Sequence, residues 1–62
     1  MTGKEVIKIL KKNDWQLDRI NGSHHIMRKE GCGSVSVPVH GSKDLKRGTL
    51  AGISRQTGVD FS

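Results

Sequence analysis

The stretch NGSHHIMR, residues 21 to 28, holds two of the three histidines in a chain of 62 residues, the third being His40. An unperturbed imidazole titrates at about pH 6.5, so His24 and His25 are the residues best suited to take and give protons near neutrality. They cannot share one site on a regular strand, because neighbouring strand residues point to opposite faces. A paired-histidine zinc site is disfavoured for that reason. The sequence also lacks a C-x-x-C, an H-x-x-x-H or a carboxylate cluster, the spacings that usually gather metal ligands, so no metal or other cofactor is expected.

Eleven Lys and Arg against six Asp and Glu give a net charge of +5. Such a balance favours a polyanion or an acidic protein as partner. Lys43, Lys46 and Arg47 fall at the expected start of a helix, where free N–H groups and the dipole already favour phosphate. Cations are unfavourable there for the helix itself, a local conflict that points to an anionic ligand. RNA fits both features. Its 2′-hydroxyl is an internal nucleophile, so cleavage needs a base, an acid and cations for the phosphate, without any metal. With two aromatics, Trp15 and Phe61, there is little to stack bases on, and contacts to backbone and shape are expected to dominate.

Elements must place these side chains. Thr2-Gly3-Lys4-Glu5 has the T-x-x-E form of a capping box. Val6, Ile7, Ile9 and Leu10 follow at helical spacing until Asn13-Asp14 ends the helix. From Trp15 the period becomes two, with Trp15, Leu17 and Arg19 on one side and Gln16, Asp18 and Ile20 on the other. Asn21-Gly22 then marks a hairpin, and residues 23 to 28 return. After a turn at Glu30-Gly31-Cys32-Gly33, residues 34 to 39 alternate valines with small polar residues, and Pro38 puts that strand's end at a sheet edge. A second helix is expected over Leu45 to Thr57, with Leu45, Leu50, Ile53 and Thr57 inward and Gly58 as the stop. Gly48 and Gly52 weaken it by roughly 1 kcal/mol each, so it must lean on the sheet.

Two hairpin registers fit the pattern. A two-residue Asn21-Gly22 loop sets Leu17 opposite Ile26 and turns His24 inward with Trp15 and Leu17. A three-residue Ile20-Asn21-Gly22 loop instead pairs Trp15 with Met27, Leu17 with His25 and Asp18 with His24. It leaves His24, Ile26 and Arg28 on the open face. The second is preferred because it pairs two bulky apolar residues.

The fold class expected is α+β in the order α-β-β-β-α, a three-stranded antiparallel sheet with two helices on one face and the other face open. With 32% hydrophobic residues the core must be small, and such cores typically yield about 3–5 kcal/mol of net stability. The lone Cys32 cannot form an internal disulfide, which fits a reducing, cytoplasmic setting. No window resembles a membrane span, so no membrane partner is expected, and the N-terminal stretch lacks the features of a signal peptide.

Taken together, GKEVIKILKKNDW, GSHHIMR and VSVPVHGSKDLKRGTLAGISRQTGV resemble the HicA family of bacterial toxins, and nearly the whole chain takes part. GSH entering the second strand, VPVHG closing the third, and K-D-L-x-x-G-T-L leading into the last helix carry the resemblance as a set. It implies one HicA-like domain over residues 1–62 with a double-stranded-RNA-binding-domain-like fold. It also implies an endoribonuclease that acts on mRNA without a metal and is neutralised by a HicB-type antitoxin. By resemblance the catalytic histidine is His24, directly after Gly-Ser, while His25 occupies a variable slot. By the same resemblance Gly22 and Ser23 shape the turn and the basic residues near the last helix contact RNA, and the RNA-binding set expected is Ser23, Arg28, Lys43, Lys46 and Arg47. Arg28, Lys46 and Arg47 are expected to steady the phosphate. His40 is a candidate second proton carrier or a structural residue of its loop. Two positions depart from the family: Asp14 stands where Gly or Asn usually precedes the tryptophan, and Met27 where an aromatic is usual.

Overall fold

The computed structural model describes residues 1–61. Helix α1 (Gly3–Lys12) leads into strands β1 (Gln16–Asn21), β2 (His24–Lys29) and β3 (Gly33–Pro38), and helix α2 (Arg47–Thr57) closes the order. The strands form one antiparallel sheet in the order β1-β2-β3. This is the α-β-β-β-α topology expected from the sequence, consistent with a double-stranded-RNA-binding-domain-like fold.

The capping box is complete. The Glu5 N–H donates to the Thr2 hydroxyl at 3.2 Å, and the Thr2 N–H donates to the Glu5 carboxylate at 2.9 Å. That backbone donor, followed by the Thr2 hydroxyl, holds the Glu5 carboxyl below its ordinary value. At the other end the chain turns in a Schellman arrangement. Trp15 N–H donates to the Leu10 carbonyl at 3.0 Å and Asp14 N–H to that of Lys11 at 3.3 Å. Leu10 and Trp15, the two residues such a turn brings into contact, are both buried.

Asp14 is the non-glycine residue that pays for this geometry, with φ at +70°. Its Cβ crowds the following carbonyl there, a strain glycine does not feel. Asp14→Gly is therefore expected to stabilise the protein by about 0.5–1 kcal/mol, less than the full strain because glycine frees the unfolded chain. Gly3 at the helix start answers the opposite need. A Cβ there would collide with the Pro38 carbonyl oxygen and press on Val39. Gly3→Ala is expected to lose about 1–3 kcal/mol, a large share of what so small a core supplies. Thermal melts of the two variants should move in opposite directions, by roughly 4–8 °C per kcal/mol.

The core lies between the helices and one face of the sheet. Val6, Ile7 and Leu10 of α1 meet Met27, Val35 and Val37 of the sheet, with Trp15, Ile53 and Phe61 completing the cluster. On β1 the same face is barely covered: Leu17 stays 42% exposed and Ile20 56%. The helical layer thus stops short of the first strand.

Helix α2 begins two residues later than the apolar pattern predicts, because its leading residues have other partners. Thr2 and Asp44 form an isolated bridge, and the Leu45 N–H donates to the Met1 carbonyl at 2.8 Å. Leu45 still packs against the core, as does Leu50. Gly58 caps the helix in the left-handed region, as expected.

Neither predicted hairpin register is the one formed. Asn21 pairs with His24, leaving Gly22-Ser23 as a two-residue loop, and Leu17 pairs with Met27 rather than with Ile26 or His25. The register slips between Leu17 and Arg19, so Asp18 is an extra, bulged residue and does not pair with His24. Gly22 has φ at +61° and Ser23 does not share that sign, the pattern of a II′ turn, which matches strand twist with glycine in its first central place.

Candidate functional site

His24 opens β2 on the face away from the helices. It pairs with Pro38 of β3, while its neighbour His25 pairs with Val37 and Met27 with Val35, both valines being buried. Alternation therefore sends His25 and Met27 under the helices and leaves His24, Ile26 and Arg28 on the open face. The preferred register is wrong in its pairs but right on this point. The bulge supplies the residue that keeps β1 in step.

The imidazole of His24 is exposed, and its Nδ1 lies 3.1 Å from the Ser36 hydroxyl. Ser36 pairs with Ile26, so this contact runs diagonally across the β2–β3 ladder on the open face. Among the described residues, Nε2 has no hydrogen-bond partner. One nitrogen is thus tethered and the other faces solvent.

Ser23, half-buried in the turn before His24, accepts the Val39 N–H on its carbonyl at 2.7 Å. That bond ties the hairpin turn to the chain leaving β3. Pro38 in turn touches Gly3, and Thr2 is bridged to Asp44. Through these contacts His24, the start of α1 and the lead-in to α2 gather at one end of the molecule.

The same lead-in carries the cations. Lys43, Lys46 and Arg47 are all exposed. Lys46 is the N-cap of α2 but makes no side-chain cap, and no acidic residue sits in the first turn. The helix start is therefore electropositive from both its side chains and its backbone. Arg28 lies elsewhere. It pairs with Gln16, four residues along β2 from His24, which is about 13 Å at the usual strand rise. Together with Asp14, Asp18 and Lys29 it lines an open groove at the opposite end of the sheet.

The bulge brings a cation that the period-two reading assigned to the wrong side. Arg19 pairs with Ile26 and so shares the face of His24, nearer to it than Arg28 and with its side chain 71% exposed. The apolar residues of β1 held the signal: Trp15, Leu17 and Ile20 are spaced two and then three, as an inserted residue requires. Ser36 was the other omission, being visible only once β3 is in register with β2.

His25 is a different kind of residue. It is half-buried, and its Nδ1 is enclosed without a hydrogen-bond partner. Replacing it by an apolar ring removes an unmet polar atom from the interior. His25→Phe is expected to leave stability unchanged or raised and activity within about threefold of the parent, measured by thermal melting and the functional assay below. His40 is exposed in the turn beyond Pro38, where its carbonyl accepts the Lys43 N–H at 3.1 Å. Among the described residues no three His, Cys, Asp or Glu side chains are grouped to hold a metal ion, and no helix is long and apolar enough to cross a membrane.

A family model described as the HicA toxin of bacterial toxin-antitoxin systems matches residues 3–59. The chain belongs to the HicA toxin family. No curated protein matches it at a significant level. The match spans every element from the first residue of α1 to just beyond the C-cap of α2. The glycine wedged against Pro38, the Gly22-Ser23 turn and the electropositive start of α2 all lie within the family's extent.

Proposed function

We propose that this HicA toxin is an endoribonuclease that cleaves mRNA with His24 as its proton-transfer residue and without a required metal. The observation that carries the reading is the exposed His24 ring, anchored through Nδ1 and open at Nε2, on the sheet face that no helix covers. Nε2 takes the proton of a ribose 2′-hydroxyl as its oxygen attacks phosphorus, or gives one to the departing 5′-oxygen as the P–O5′ bond breaks. The expected product ends are a 2′,3′-cyclic phosphate and a 5′-hydroxyl.

Cations fill the second requirement, since negative charge builds on the phosphate oxygens in the transition state. Arg19 is the nearest on the sheet. Lys43, Lys46 and Arg47 hold the backbone at the start of α2, Ser23 contacts it at the turn, and Arg28 grips a flanking phosphate further along the strand. A non-catalytic double-stranded-RNA binder is less well supported by size. Such modules contact RNA over about 16 base pairs, and the backbone here extends 30 Å along its longest axis.

A HicB-type antitoxin is the proposed inhibitor. A net charge of +5 and an uncovered sheet face offer an acidic protein both steering and area to cover. The cytoplasm, where mRNA and a reduced Cys32 coexist, is the proposed setting.

The test is cleavage of a defined transcript by the purified chain, with and without a chelator. Fragmentation in both, with cyclic phosphate ends, is the expected result. Binding without fragmentation would make the protein an RNA-binding module instead.

A further inference from the structure

Ser36 has no part in the chemistry described so far, yet among the described residues it is the one side chain hydrogen-bonded to the His24 ring. We infer that Ser36 is a positioning residue for His24: its hydroxyl, able to donate or accept, holds the ring and accepts the Nδ1–H in the tautomer that carries the lone pair on Nε2. The inference rests on His24 being the proton-transfer group.

The argument starts from what a base on the 2′-hydroxyl must look like. A neutral imidazole carries one proton, and the nitrogen without it is the base. If the solvent-facing Nε2 is to accept a proton, the hydrogen must sit on Nδ1 and need an acceptor there. Ser36 Oγ lies 3.1 Å away, and His24 is the one side-chain partner of that hydroxyl among the described residues. Once Nε2 has been protonated, both nitrogens are donors, and the same Nδ1–H to Oγ bond persists unchanged. The ring passes between its two charge states with no rearrangement behind it. A hydrogen bond in the other sense would place the proton on Nε2, where the neutral ring could not act as base.

Geometry makes this more than a surface contact. His24 sits at the first position of β2, next to the turn, and among the described residues its ring has no other hydrogen-bond partner. Ser36 is in the middle of β3, held by the ladder on the β2 side through its pairing with Ile26. A short side chain from the middle of the edge strand thus anchors a longer one at the end of the central strand.

Ser36→Thr and Ser36→Val separate the hydroxyl from the shape, because the two replacements have nearly the same volume and branching. The threonine form is expected to keep kcat, while the valine form and Ser36→Ala lose roughly 3–10-fold in kcat with KM little changed, the worth of one neutral hydrogen bond. Long-range proton–nitrogen NMR spectra of the neutral His24 ring give a readout independent of turnover. The parent and Ser36→Thr should show Nδ1 protonated, and Ser36→Val should gain the Nε2–H tautomer. Equal kcat in the threonine and valine forms, or an unchanged tautomer in Ser36→Val, would overturn the inference while leaving His24 in place. Full cleavage by His24→Ala would instead remove the reading beneath it, and the inference with it.

Discussion

His24→Ala is expected to lose RNA cleavage by about 10²-fold or more, the lower end of what one acid–base group supplies, while the fold stays intact. That loss corresponds to about 2.7 kcal/mol of transition-state stabilisation. The two parts of the expectation have separate causes. The ring is exposed and, among the described residues, its side chain has one hydrogen bond, to Ser36, so its removal opens no cavity in the Val6, Leu10, Trp15 and Met27 core. The backbone of residue 24 still pairs with Asn21 and Pro38 whatever side chain it carries. Circular dichroism and thermal melting should therefore match the parent within the small cost of alanine in a strand. Cleavage of a defined transcript, or the integrity of total mRNA over minutes after induction in a bacterial host, reads the other part. A variant that still cleaves at the parent's rate would remove His24 from the mechanism. His25→Phe is the companion: the neighbouring residue on the opposite face should change almost nothing.

The helices were legible in the sequence because their signals are local. T-x-x-E, the Val6, Ile7 and Leu10 spacing and the stop at Asn13-Asp14 each act within one or two turns, and α1 forms as they dictate. Where α2 begins was less legible. Leu45 fits the apolar pattern of a helix, but its N–H is taken by Met1, at the far end of the chain, and a window of local sequence contains no such partner. The hairpin was misread for a related reason. Asn-Gly is the stronger turn dipeptide in isolation, yet Gly22-Ser23 serves the II′ geometry, and one bulged residue at Asp18 brings both the apolar face of β1 and the returning strand into step. Register is a property of two strands and the core beneath them, and either strand alone leaves it open.

The site divides along the same line. His24 could be named from its type and its place after Gly-Ser, and its outward direction follows from alternation once Val35 and Val37 are known to be buried. Ser36 and Arg19 could not be, because each becomes a neighbour of His24 only through pairing with Ile26 across a different strand boundary. Asp14 shows the reverse case. The departure from the family's Gly or Asn was visible in the sequence, and its reason, a φ of +70° at the end of α1, needed coordinates.

The start of α2 supplies the second large effect, and it has a sign that a mere surface charge would not produce. Lys46 and Arg47 stand where a helix prefers acids, so each opposes the N-terminal dipole by about 0.3–1 kcal/mol. Replacing both with alanine should therefore raise the melting temperature or leave it unchanged. Binding should go the other way. If each cation neutralises one phosphate, the double replacement lowers the slope of log affinity against log salt by roughly 1.4–1.8 units, for single-stranded and duplex RNA respectively. At low salt the loss should reach about 10²-fold, taking each charge-assisted contact as worth roughly one factor of ten. The measurement is best made in the His24→Ala background, where the RNA survives the titration. Lower affinity with an unchanged slope would mean that the cations act through shape rather than charge. An unchanged affinity would return them to solvent, and the electropositive helix start would then have no ligand to offset its cost to the fold.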